Sequence, residues 1–78
     1  MTVTRAQMRA ARASLGWTRI RLGRAAKVSP TTVYNIEHED LRLSEWAQRA
    51  IQQALESAGV VFIEENGEGP GVRLKKTK

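Results

Sequence analysis

Two helix starts stand close together in this chain: Thr18 before Arg19-Ile20-Arg21-Leu22, and Ser29 before Pro30. Thr and Ser at such places offer a side-chain oxygen to the free N–H groups of a first helical turn. Pro suits the first helical position, where it has no N–H to lose. The stretch between them has room for one short helix, 19–26, and Lys27-Val28 is left as the turn into a second, 30–38. Helices this short do not hold in water alone and depend on tertiary contacts. The chain must therefore build a helical cluster around this pair. Leu22, Gly23 and Ala26 point inward from the first helix, and Val33 and Ile36 from the second. Thr31, Thr32, Tyr34 and Asn35 point away. Gly23 costs up to about 1 kcal/mol relative to Ala inside a helix, which marks a place of close packing.

The flanking segments carry their own punctuation. Thr4 and Gln7 form a capping box, the stretch 5–15 is rich in helix formers, and Gly16 ends it. Met8, Ala11, Arg12 and Leu15 share a face. Ser44 caps a further helix, 45–58, closed by Gly59. Trp46, Ala47, Ala50, Ile51, Ala54, Leu55 and Ala58 form its apolar stripe, which assigns Trp46 to the core, as spacing also does for Trp17. Val60–Ile63 is β-branched and aromatic and predicts a strand; 72–74 alternates and predicts a second. Asn66-Gly67 and Pro70 place a loop between them. The expected layout is a helical domain over 1–59 with a C-terminal β extension over 60–78.

A chain of 78 residues is one small domain, and domains of this size are marginal without a staple or a partner. There is no Cys and a single His, His38, so neither a disulfide nor a zinc site is expected, and no cofactor signal is present. A homodimer is expected instead. Val60, Val61, Phe62 and Ile63, apolar on both faces of their strand, are the favoured contact, with helix 45–58 next. No apolar run approaches a membrane span and no signal peptide is evident, which suggests a cytoplasmic protein.

Charge is distributed unevenly. Arg5, Arg9, Arg12, Arg19, Arg21, Arg24 and Lys27 all precede the first acid, Glu37. Every acid of the chain falls between Glu37 and Glu68, and Arg73, Lys75, Lys76 and Lys78 close it. A one-sided basic block is the footprint of a polyanion binder. Glu64, Glu65 and Glu68 sit in a Gly-rich loop, a poor place to hold acid–base geometry, and solubility is the expected role. The loop is not followed by a helix or a Lys-Ser/Thr pair, so it is not a phosphate-binding loop. No catalytic constellation emerges, and an enzyme is not expected.

Two short capped helices joined by a tight turn, the second polar outside, is the layout of a helix-turn-helix. Here the chain resembles the lambda-repressor-like, or Cro/XRE-type, regulators. The resembling residues are Arg12, Leu15-Gly16-Trp17-Thr18, Leu22-Gly23, Ala26, Val28-Ser29, Val33, Ile36-Glu37, Ala58-Gly59-Val60 and the tail from Phe62 to Leu74. The resemblance implies an all-α fold of four to five helices with a short C-terminal strand pair or hairpin. It also implies a transcriptional regulator that reads a palindromic site on double-stranded DNA as a homodimer. Helix 30–38 would enter the major groove. Pro30, Thr31 and Asn35 would face base edges, and Ser29, Thr32 and Tyr34 would lie at bases or phosphates. Thr18 and Arg19 would meet the phosphate backbone. Arg12 and Glu37 match a pair that forms a salt bridge in the family and would orient the reading helix.

The chain departs from the family at several places. Arg19 replaces a usual Gln, Ile20 and Arg21 replace frequent acids, and Lys27 replaces a turn Gly, where positive φ would cost of order 1 kcal/mol. Glu39-Asp40 would repel phosphate, leaving Arg42 as the only plausible contact of that connector. Two alternatives stand beside the operator-reading expectation. One is an antitoxin-type module that binds a protein partner through the C-terminal strands and also binds DNA. The other is an accessory DNA binder without sequence preference.

Overall fold

The structure, a computed structural model, describes residues 3–38, 45–64 and 67–75. It is mostly helical: α1 (Arg5–Leu15), α2 (Arg19–Ala26), α3 (Pro30–His38) and α4 (Glu45–Ser57) are followed by strands β1 (Val60–Ile63) and β2 (Gly71–Leu74). The Ser44 cap, the 39–43 connector with Arg42, and Glu65, Asn66, Lys76 and Lys78 lie outside the described residues.

The expected caps form. Thr4 Oγ1 accepts from the Gln7 backbone N–H at 3.1 Å, and Gln7 Oε1 accepts from the Thr4 N–H at 2.9 Å. Thr18 accepts from the Arg21 N–H at 3.0 Å, and Ser29 Oγ from the Thr32 N–H at 3.0 Å. Gly16 ends α1 in the left-handed region. Lys27 ends α2 there as well, with φ 62°. A side chain at that φ is strained by roughly 1–2 kcal/mol, whereas glycine adopts it freely but loses more chain entropy on folding. Lys27→Gly should therefore raise the unfolding free energy by about 0.5–1 kcal/mol. A lower urea midpoint for that variant would mean that the Lys27 side chain makes interactions worth more than the strain.

The core gathers Met8, Ala11, Leu22, Ala26, Val33, Ile36, Ala47, Ile51 and Leu55 from the helices and Val60 and Phe62 from β1. α2 lies against both α3 and α4, α1 packs on α3 and β2, and α4 reaches β1. Gly23 is where α2 meets the chain after its turn: a Cβ there would lie 2.6 Å from the Val28 carbonyl oxygen. No other residue fits that approach, which confirms the close packing read from its position.

Two assignments are corrected. Trp46 is 66% exposed. The buried line of α4 is Ala47, Ile51 and Leu55, one residue in every four, and Trp46 sits beside that line rather than on it. Ala50 and Ala54 are half-buried margins packed on the core. The helix also ends at Ser57 rather than Ala58. Val28, in the turn, is half-buried and packed against the core.

β1 and β2 pair antiparallel within the chain, Val60 opposite Leu74 and Ile63 opposite Gly71, so β2 begins one residue earlier than the alternation at 72–74 indicated. The pleat turns Val60 (2% exposed) and Phe62 (8% exposed) into the core. Their side chains are committed to this chain's own interior, contrary to their expected part in a dimer contact. Only Val61 and Ile63, half-buried, face the other way. The mouth of the hairpin is tied to α1 by buried Gln7, whose Nε2 donates to the Ile63 and Gly71 carbonyls at 3.1 and 3.0 Å.

Candidate nucleic-acid interface

Glu37 holds the end of α3. It lies in the last turn of that helix, 1% exposed, and is the first acid in the chain. A buried carboxylate must be paired and hydrogen-bonded to be tolerated, and here the basic helices α1 and α2 supply the partners. Arg12 Nε donates to Oε2 at 2.6 Å and Arg12 Nη2 to Oε1 at 3.1 Å, a two-pronged contact of the kind guanidinium and carboxylate favour. Arg12 Nη1 also donates to the Trp17 carbonyl at 3.0 Å, joining the loop before α2 to the same cluster. Arg19 Nε donates to Glu37 Oε1 at 3.2 Å. Arg9 Nη1 donates to the Glu37 backbone carbonyl, one of the carbonyls a helix end leaves without an internal partner. Thus α1 and α2 both grip α3 through one residue.

The Arg12–Glu37 pair thus stands where the resemblance placed it. Arg9, whose position on α1 suggests solvated surface, instead caps α3. Arg19 makes further contacts with α3. Its guanidinium lies against α3: it donates from Nη2 to His38 Nε2 at 3.1 Å, since a guanidinium has no acceptor, and its carbon sits 5.1 Å from the centre of the Tyr34 ring. The His38 and Tyr34 rings are 4.5 Å apart, tilted by 35°. Sequence reasoning misses His38 as a member of this site. Its signal is its place four residues after Tyr34, on the same outward stripe of the helix.

The face of α3 turned away from Val33 and Ile36 is largely open. Ser29, Pro30 and Thr31 are exposed, Tyr34 is 47% exposed, and Thr32 and Asn35 are half-buried. Ser29 and Thr32 hydroxyls contact each other at 2.9 Å, so part of their hydrogen-bonding capacity is already engaged. Thr18 is exposed at the start of α2. With Glu37 buried, α1, α2 and α3 expose only basic and neutral side chains. Arg21, at 4.8 Å over the Trp17 ring, Arg24 and Lys27 are exposed along α2 and its end.

Among the described residues no group of His, Cys, Asp or Glu side chains could hold a metal ion. No helix there is long and apolar enough to cross a membrane. No protein-family model matches this chain, and no curated protein matches it.

Proposed function

We propose that the chain is a double-stranded-DNA-binding transcriptional regulator that reads a palindromic operator as a homodimer, with α3 in the major groove. One observation carries the reading. The only acid of the first three helices is buried as the anchor of α3, so the exposed side chains of α1, α2 and α3 are all basic or neutral. Basic side chains beside α3 supply the attraction to phosphate, and Thr31 and Asn35 supply groups that can read base edges. Asn can bond adenine through two hydrogen bonds, and Thr can offer a hydroxyl or a methyl. Pro30 can make apolar contact only. In a symmetric dimer the two reading helices would sit roughly 34 Å apart, one DNA turn.

Selection from random duplexes at moderate salt, with wild type and Asn35→Ala, tests this. The expected result is a two-fold symmetric motif whose preference at one position per half-site relaxes by about 1–3 kcal/mol in the variant. Binding that is steep in salt but indifferent to sequence would replace the operator reader with an accessory binder. Exposed Trp46 and half-buried Val61 and Ile63 favour a second reading, in which the chain also docks a protein partner. Stoichiometric co-purification that disappears on Trp46→Gln would support it.

A further inference from the structure

We propose that Arg19 is a positioning residue that acts through Tyr34 and not a phosphate contact. This inference rests on α3 being the DNA-reading helix. Arg19 is the first residue of α2, where a basic side chain could turn outward to a phosphate. Its guanidinium instead folds back over α3, with its donors on that side taken: Nε on Glu37 Oε1 at 3.2 Å and Nη2 on His38 Nε2 at 3.1 Å. The central carbon of the same guanidinium lies 5.1 Å from the centre of the Tyr34 ring, and the His38 ring approaches Tyr34 at 4.5 Å. An exposed tyrosine normally samples several rotamers. This one is bordered by a cation tied to a buried carboxylate and by an imidazole tied to that cation.

The chain of contacts runs from Glu37 through Arg19 to Tyr34, from the interior to the outward stripe of α3. Glu37 is already met two-pronged by Arg12, so Arg19 is not required to pair the buried charge. What it adds is a plate behind Tyr34. A fixed aromatic ring loses little freedom on binding, so the ring's contacts with DNA contribute more fully to affinity and to discrimination. Lys cannot substitute, because an ammonium lacks the planar fork that meets Glu37 and His38 while stacking on a ring.

The experiment is a double-mutant cycle on operator binding, using the wild-type protein's selected duplex and a scrambled one, over a range of salt. The variants are Arg19→Lys, Tyr34→Ala and the pair, with folding checked by circular dichroism. Arg19→Lys keeps a cation at α2 and is expected to reduce the operator-to-scrambled affinity ratio by roughly 3- to 5-fold, the scale of one exposed cation–π contact. The slope of log affinity against log salt should stay unchanged. In the Tyr34→Ala background the same substitution should leave the ratio unaltered. Arg19→Gln gives a second readout, since replacing a phosphate-binding cation by a neutral side chain lowers the salt slope by about one, and the proposed role does not. A slope that falls by about one, or an Arg19→Lys effect that persists without Tyr34, overturns the proposal. Absence of any selected duplex for wild type would instead remove the DNA-reading assignment on which it rests.

Discussion

Replacing Arg12 by Met lowers the unfolding free energy by about 3 kcal/mol, the lower end of the 3–5 kcal/mol range for breaking a buried ion pair by removing one member. Met retains most of the aliphatic stem, so the effect isolates the guanidinium. Glu37 stays behind at 1% exposure with Arg19 as its remaining charged partner at 3.2 Å, and the Arg19 side chain is 38% exposed. That partial compensation places the effect at the low end, while removal of the hydrogen bond to the Trp17 carbonyl works against it. Small domains are stable by roughly 5–15 kcal/mol, so the variant would sit near its threshold. Urea denaturation measures it. The double variant Arg12→Met with Glu37→Leu should recover at least half of the stability, because a well-packed apolar pair often replaces a buried ion pair at no net cost. A single-variant effect below about 1 kcal/mol would mean that Arg19 alone satisfies the carboxylate.

The parts of this fold that local chemistry governs were legible in the sequence. Thr4 with Gln7, Thr18, and Ser29 with Pro30 placed the first three helices at the bounds the structure has, because a cap acts over three residues and leaves its mark in the sequence. Interactions made at long range left no such mark. Gln7 reads as half of a capping box, yet its amide nitrogen also binds carbonyls 56 and 64 residues away. Nothing near Gln7 signals that. Trp46 shows a different blindness. A period of 3.6 identifies a stripe but not its width, and the residue at the margin, near the helix start, turned outward while Ala47 turned in. In β1, apolar residues on both faces suggested a strand needing a second chain, whereas the pleat sends Val60 and Phe62 into the core and leaves only Val61 and Ile63 outside.

The candidate site divides along the same line. Of the outward set Thr31, Thr32, Tyr34 and Asn35 read from helical geometry, Thr31 and Tyr34 are exposed and Thr32 and Asn35 are half-buried. The inward grip on α3 did not, because Arg9, Arg12 and Arg19 meet Glu37 only after α1 and α2 have packed. An arginine on a basic helix offers no local sign of whether it faces solvent, phosphate or a neighbouring carboxylate. The resemblance supplied Arg12, whereas the contacts of Arg19 with Glu37, His38 and Tyr34 carry no mark in the sequence.

Leu22→Ala should cost about 2–5 kcal/mol, the range for truncating a fully buried leucine, and fall in its upper half. α2 has only eight residues, and Leu22 is its one large buried side chain, the other buried positions being Gly23 and Ala26. The helix packs against both α3 and α4, and Leu22 is fully buried. Whether the cost is small or large depends on whether the surroundings can close over the space left behind. Here they are restrained. Gly23 already brings the α2 backbone so near the Val28 carbonyl that a Cβ would fall 2.6 Å from it, so α2 cannot slide inward without colliding with the turn that leads to α3. Leu22→Met, which nearly conserves volume, should cost below about 1.5 kcal/mol. Thermal or urea unfolding of both variants separates the outcomes. A Leu22→Ala cost below about 2 kcal/mol would show that α2 does relax, and α3 would then be expected to shift with it.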